Sequence, residues 1–399
     1  MPAIVSPSNC QVTNLQSQTF TSGGTVTIPV AGALPTGRRV RSVVFRLDID
    51  ATQPGAGMAA QLGTVLPQLI AQIKIGRRVS ITGLGLFFLN WMQNGFSPAW
   101  PPGWAAGAAA DVRSRSIVWQ LDYADMTSVQ PEDAAVPSEI WTDPIEIRFG
   151  TNAIFAATVP TLGNGTLRTM VYHDAASVSR DGKRITVPQS LNIQSEDFSA
   201  LSAIINKPGA WVYACAYREA SNDSGIITSA NVANVISSID GVPLLNSLRL
   251  QDVASVFNAM RSHGSNYGSE GQALTVPGAN NATSGTAIGG ECVNDQPGVA
   301  AGAGQAVTAN FLPLVFPPRN YHVSMLAKAK TGFRSDLTGT LGAYKIAYRI
   351  IERRPDSAVG NAARRLGVGS GGFGPKTGNS PIHTDPELAP FLPYTVVES

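Results

Sequence analysis

The sequence predicts an all-β protein made of two tandem β units of similar size, with short helices and long loops. Three observations carry this prediction. Short alternating segments rich in β-branched and aromatic residues, bounded by Gly, Pro, Asn or Asp, dominate the chain. Four pairs of segments recur in the same order in its two halves. Long insertions of small and polar residues then interrupt both halves at nearly the same place, where compact domains prefer short connections.

Composition sets the frame for these units. With 399 residues there is room for two domains, and 43% hydrophobic residues supply their cores. Charged residues are only 14%, against about 25% in an ordinary soluble domain. Such a deficit fits a surface covered by other subunits, and equally an Ala/Gly-rich style of composition with its 40 glycines. A net charge of +2 gives no whole-chain attraction to nucleic acid or membrane. Cys10, Cys215 and Cys292 are too sparse for a disulfide framework or a Cys/His metal site. The opening "MPAIVSPSNC" lacks the basic-then-apolar pattern of a signal peptide, and no run of about eighteen apolar residues exists to span a bilayer.

Residues 1–24 read as an N-terminal arm. The first unit, 25–178, opens with "TVTIP" at Thr25 and continues with the alternating "VVFRLDIDA" from Val43. Next comes "LIAQIKIGRRVSITGLGLFFLNWM", Leu69 to Met92, which passes through a polar turn into a run too apolar to face water. "NGFSPAWPPGWAAGAAA" interrupts the unit from Asn94, and "LGNGTLRTMVYHD" from Leu162 ends it. The second unit, 179–352, repeats the order. "RITVP" at Arg184 answers "TVTIP", and "WVYACAYREA" from Trp211 answers "VVFRLDIDA". In the latter, Trp211, Tyr213, Cys215 and Tyr217 make one large face and Val212, Ala214 and Ala216 a small one, so the strand is expected to be buried on both sides. "VISSIDGVPLLNSLRLQDVASVFNAM", Val235 to Met260, answers the apolar stretch, and both close on apolar-Asn-x-Met. Within it, Leu250, Val253, Val256, Phe257 and Met260 form one helical stripe. The insertion from Ser262 to Gln305 and the strand-like "LTGTLGAYKIAYR" from Leu337 complete the unit. Equivalent insertions place the long loops at one end of both units, giving the molecule a top and a bottom.

Catalytic patterns are missing. His173, His263, His322 and His383 are scattered, and His173 and His322 sit in strand-like segments that suit structural roles. "GVGSGGF" from Gly367 satisfies GxGxxG, but Arg364-Arg365 precede it and more glycine follows, where the fingerprint needs a strand and a helix. Asp48 and Asp50 share a strand face through alternation alone. No nucleophile-base pair, metal ligand set or cofactor motif emerges. Four Arg pairs stand out: Arg38-Arg39, Arg77-Arg78, Arg353-Arg354 and Arg364-Arg365. The stretch holding Arg353, Arg354, Arg364 and Arg365 reads either as a solvated tail or as an arm that meets an anionic surface, lipid headgroup or nucleic-acid phosphate.

With these segments in place, the sequence resembles the double jelly-roll major capsid proteins of icosahedral double-stranded DNA viruses, the lineage of tailless membrane-containing bacteriophages and adenovirus hexons. "LIAQIKIGRRVSITGLGLFFLNW" matches that family's strand-turn-strand pattern, with Ile75-Gly76 in place and Asn90-Trp91 closing the apolar run. "NFLPLVFPPRNYHVSMLAKA" from Asn310 has the family's Pro-rich entry to the late strands of the second barrel. The match covers roughly Thr25 to Arg353 and departs from the pattern where the second copy carries "DGVPLL" in place of Ile-Gly.

The resemblance implies two tandem jelly-roll barrels and a structural, non-enzymatic protein of the virion, made in the host cytoplasm. Its partners would be itself, as a homotrimer and in neighbouring capsomers, penton or vertex proteins, and an internal membrane or the genome through the basic tail. Leu388, Phe391, Leu392 and Tyr394, kept extended by prolines, would anchor the tail (353–399) on an adjacent subunit. Doubling a barrel lets a trimer fill a sixfold lattice position. Other readings are a receptor- or carbohydrate-binding spike, for which Trp100 and Trp104 would stack on sugars, a minor capsid or vertex protein, and a glycoamidase-type hydrolase built from two jelly rolls.

Overall fold

The computed structural model describes residues 10–52, 69–94, 112–123, 135–138, 141–150, 162–175, 189–219, 227–228, 231–261, 293–294, 308–309, 311–318 and 325–353. Its strands fall into two sets with the same wiring. The first set is β1 (Cys10–Phe20), β2 (Thr25–Ile28), β3 (Arg38–Thr52), β4 (Ile70–Ile75), β5 (Val79–Ile81), helix α1 (Gly83–Asn94), β6 (Val112–Asp122), β7 (Val136–Pro137), β8 (Ile145–Phe149) and β9 (Leu162–Ala175). The second is β10 (Gln189–Phe198), β11 (Ser202–Ile205), β12 (Gly209–Tyr217), β13 (Ile227–Thr228), β14 (Val232–Ile239), β15 (Val242–Leu248), helix α2 (Leu250–Arg261), β16 (Val293–Asn294), β17 (Thr308–Ala309), β18 (Leu312–Val315), β19 (Ala327–Ala329), β20 (Phe333–Gly339) and β21 (Tyr344–Arg353).

In the first set one sheet runs β1-β9-β3-β6, and the strands β2, β8, β4 and β5 line up in that order in another. In the second set the corresponding rows are β10-β21-β12-β18 and β11-β20-β14-β15. Leaving aside β7, β13, β16, β17 and β19, each set reads first-eighth-third-sixth opposite second-seventh-fourth-fifth. That order is the jelly roll. The row ending at β5 and the row beginning at β10 join into one sheet that crosses from the first barrel to the second. β13, β17 and β16 form a small separate sheet from segments that precede β14 and follow α2.

Alternation explains each core. Val43, Phe45 and Leu47 of β3, Trp119 and Leu121 of β6, and Leu167 and Val171 of β9 are buried in the first barrel, as are Ile73 and Ile75 of β4 and Ile145 and Ile147 of β8. Phe20 stacks on Phe149 at 4.5 Å and lies over Gly165, where a Cβ would fall 1.8 Å from its ring. In the second barrel Trp211 stacks on Phe333 of the facing sheet at 4.8 Å.

Several sequence expectations are revised here. Residues 1–24, read as an arm, contain β1, which pairs along its length with β9. A register shift between Asn14 and Gln16 breaks the period-two pattern there, so polar residues masked the strand. The counterpart of β2 is β11, "SAII", and not "RITVP", which lies outside the described residues. β12 is buried on both faces as expected from Ala210 to Tyr217. A bulge between Trp211 and Tyr213, however, turns Trp211 toward the core and away from the face that strict alternation gives it with Tyr217. The apolar run after β5 is a helix. The strand-turn-strand-helix order from Leu69 does recur from Val235, as the repeat implied.

The Ile-Gly pair has a backbone reason. Gly76 takes φ +55° in the β4–β5 turn, and a Cβ there would lie 2.2 Å from an Asp143 carboxylate oxygen. In the second barrel Asp240 (φ 49°) and Gly241 (φ 82°) make the two-residue β14–β15 turn, the left-handed pair that a tight hairpin requires. "DGVPLL" thus holds the equivalent place with a shorter turn, two left-handed residues standing where the first barrel uses three residues and one left-handed glycine.

Candidate functional site

The feature that distinguishes this molecule from a single barrel is the seam between its two halves. There β5 and β10 run parallel, with Val79 opposite Ile193 and Ser80 opposite Gln194. The Ile193 amide donates to the Arg78 carbonyl at 2.9 Å, and the Thr82 amide to the Ser195 hydroxyl at 3.1 Å. Gln194 Nε2 reaches the Arg77 carbonyl at 3.3 Å.

Helix α1 deepens the seam. Thr82 caps it, its hydroxyl accepting from the Gly85 amide at 3.0 Å, and the Leu86 amide closes the first turn on the Thr82 carbonyl. On its own barrel the helix is tied to β6: Trp119 Nε1 donates to the Gly83 carbonyl at 2.9 Å. The Asn90 amide pairs with Gln120 in both directions, at 2.6 and 2.9 Å. Its other face enters the wall of the second barrel. Phe88 meets Tyr217 edge-on at 5.7 Å and Phe311 at 4.9 Å, while Trp91 meets Phe311 at 5.5 Å. Leu84, Leu86, Phe87, Phe88, Leu89, Trp91 and Met92 are all buried. A helix apolar all round must be covered all round, and the two barrels together do this.

Polar groups in the seam are matched across it. The Tyr217 hydroxyl lies 2.7 Å from the Thr82 hydroxyl. Burial pushes its phenol well above the ordinary range, the Glu219 carboxylate adds to this, and the Thr82 bond opposes it. Buried Arg349 of the second barrel reaches Gln93 Oε1 and the Tyr123 carbonyl of the first, each at 3.4 Å. Gln93 Nε2 donates in turn to buried Asp122 at 2.5 Å. Gln93 therefore relays between a buried cation of one barrel and a buried anion of the other. At the rim, Arg78 faces Glu352 at 3.5 Å.

At that rim the structure also places Arg353. It ends β21, its backbone opposite Gln189 of β10. The turn carrying Arg77 and Arg78 lies beside it through the Arg78–Glu352 pair, and exposed Lys328 pairs with Ala210, itself opposite Ile351. Exposed Lys330 belongs to the same end, in a turn whose amides bind Asp240. These donors, the Lys330 amide first and the Thr331 hydroxyl next, hold the Asp240 carboxyl well below the usual range. Arg354, Arg364, Arg365, Leu388, Phe391, Leu392 and Tyr394 lie outside the described residues, as do Trp100, Trp104 and nearly all of the insertion from Ser262 to Gln305.

The other candidates resolve into structural contacts. His173 is buried with Nε2 2.8 Å from the Thr13 hydroxyl. Its neighbour Asp174 forms a buried ion pair with Arg41, whose Nε donates at 2.7 Å. Asp48 faces Arg46 at 2.8 Å and Arg168 at 3.2 Å. Among the described residues no three His, Cys, Asp or Glu side chains gather as a metal site would need. Sequence reading missed Thr82, Gly85, Gln93 and Arg349. The one available signal was a charge-free helix-length run in a chain otherwise built of strands.

No family model matches the chain, and no curated protein matches it in sequence. Solved structures do match. A chain from the atomic structure of Sulfolobus turreted icosahedral virus is 14% identical, with a TM-score of 0.51 over 89% of this chain and 93% of that one. A chain from the capsid of the virus PBCV-1 is 8% identical, with a TM-score of 0.50 over 86% and 94%. The major capsid protein P2 of bacteriophage PM2 is 12% identical, with a TM-score of 0.42 over 87% and 100%. With the wiring above, the first two identify the fold: it is the double jelly roll expected from the sequence.

Proposed function

We propose that this chain is the major building block of an icosahedral viral shell, working as a homotrimer whose six barrels fill a pseudo-hexagonal lattice position. The observation that carries the reading is the continuous sheet across β5 and β10. It fixes two like barrels flank to flank, a block with a direct use in tiling. The kinship in fold with chains from an icosahedral virus and from a viral capsid supports it, and so does a surface poor in charge, which suits burial between subunits. On this reading the protein resides in the virion, and the end of the barrels carrying Arg353 is the inner face.

Light scattering of the purified protein is expected to give three times the 41.8 kDa chain mass, and negative-stain images should show hexagonal blocks. A chain that stays monomeric at micromolar concentration and forms no ordered array overturns the proposal.

A further inference from the structure

The seam inside the chain has an open copy on each flank. β15 occupies in the second barrel the place of β5, and β1 occupies in the first barrel the place of β10. β5 and β10 are joined; β15 and β1 end their sheets with no further strand beside them among the described residues. Exposed edges are normally blunted by charge or proline. β1 runs eleven residues, "CQVTNLQSQTF", with neither, and β15, "VPLLNSL", carries no charge and a single proline, Pro243, next to its turn.

Exposed apolar side chains mark the same two flanks. Val12 (60% exposed) and Tyr172 (36%) are paired neighbours on the outer face of the β1-β9 wall. In the second barrel the equivalent wall is covered by α1. On the other flank Val242, Leu244 and Val256 are exposed around a groove of about 260 Å³ that Leu244, Val256, Met260, Phe316 and Met325 help to line. Of the large apolar residues exposed among those described, Ile204 alone lies away from these flanks and this groove. The helices agree. Matching Asn258 to Asn90 in the repeated apolar-Asn-x-Met motif sets Val256 where α1 has Phe88, the side chain that enters the neighbouring barrel.

We propose that β15 and α2 take β1 and the β1-β9 wall of a second copy of this chain, repeating between subunits the parallel join that β5 and α1 make with β10 within one. This interface is heterologous, so it closes into a ring or runs on as a filament. Closure at three copies rests on the capsomer reading above; the identity of the paired edges does not.

The test uses two full-length variants, Leu244→Asp/Val256→Asp on one flank and Val12→Asp/Tyr172→Asp on the other, each checked for native circular dichroism. Each alone should be monomeric. An equimolar mixture retains one intact pairing, so it should form dimers and nothing larger, a result a self-complementary interface cannot give. If both variants keep the wild-type oligomer, the inference fails while the capsomer reading stands. If the wild-type chain is itself monomeric, both fail. Hydrogen exchange on the wild-type oligomer gives an independent readout. β1 and β15 amides should exchange as slowly as those of β10, and rapid exchange at either edge overturns the proposal.

Discussion

Gly85 shows how closely the two barrels approach. A Cβ on it would sit 2.6 Å from the Tyr217 hydroxyl oxygen and 3.2 Å from the Ala347 Cβ, and both neighbours are fully buried. Gly85→Ala should therefore destabilise the protein by about 1–3 kcal/mol through overpacking. Tyr217→Phe, which removes the obstructing oxygen, should be less harmful in the Gly85→Ala background than in wild type. Urea denaturation of the four proteins in this cycle measures the coupling, and strict additivity would mean the two residues do not meet. His173 gives a second residue-scale prediction. Burial lowers its pKa, Arg38 lowers it further, and Asp174 opposes them. A histidine that binds its proton more weakly folded than unfolded contributes full stability above about pH 6.5 and loses it as pH falls from there toward the folded value. Unfolding free energy should thus decline on acidification through this window, and His173→Gln should flatten that decline.

Helix α1 is the element on which the doubled architecture turns, and its Phe88 meets two rings of the second barrel. Phe88→Ala removes the ring contacts with Tyr217 and Phe311 and should cost about 3–5 kcal/mol. The loss should fall on the seam, so amides of β5 and β10 should exchange faster with solvent before those of either barrel core do. This helix also marks the boundary of what the sequence revealed. Strands whose alternation survives, such as β3 and β21, were legible, as was α2, whose stripe has one apolar and one polar side. α1 has apolar residues on every side because two barrels cover it, so it lacked the periodicity that names a helix. β1 failed for the opposite reason: a bulge and a run of Gln, Ser and Thr left it no apolar rhythm. The seam residues Gln93 and Arg349 were beyond reach in principle, since their partners lie far off in sequence and only the fold unites them. The repeat was legible because strand order and packing constrain both copies alike, each turning back through a left-handed residue at the same place, Gly76 in one and Asp240 with Gly241 in the other.

At the scale of the whole molecule, the chain leaves the second barrel at the end where cations collect. Arg77, Arg78, Lys328, Lys330 and Arg353 belong to that end; Glu352 is taken up by Arg78 and Asn192, and Asp240 by backbone amides. The residues that follow add Arg354, Arg364 and Arg365 and finish in the apolar, proline-spaced "PELAPFLPYTVVES". Ordering a glycine-rich segment costs about 1–2 kcal/mol per residue in backbone entropy, so any docking of the tail has to be offset by a surface it meets. We propose that its arginines meet phosphate, on lipid or genome, and that Leu388, Phe391, Leu392 and Tyr394 dock on an adjacent subunit. Neither role draws on the barrels or on the flanks proposed to join copies. Truncation after Asp356 should therefore leave soluble, folded trimers by light scattering and circular dichroism while sharply reducing the yield of closed particles. Anionic vesicles and DNA fragments presented to full-length and truncated trimers separate the two sources of phosphate. Whichever binds should do so more weakly after truncation and with a shallower dependence on salt, since fewer counterions are released. Shells of normal yield and stability from the truncated chain would show that the tail takes no part in assembly.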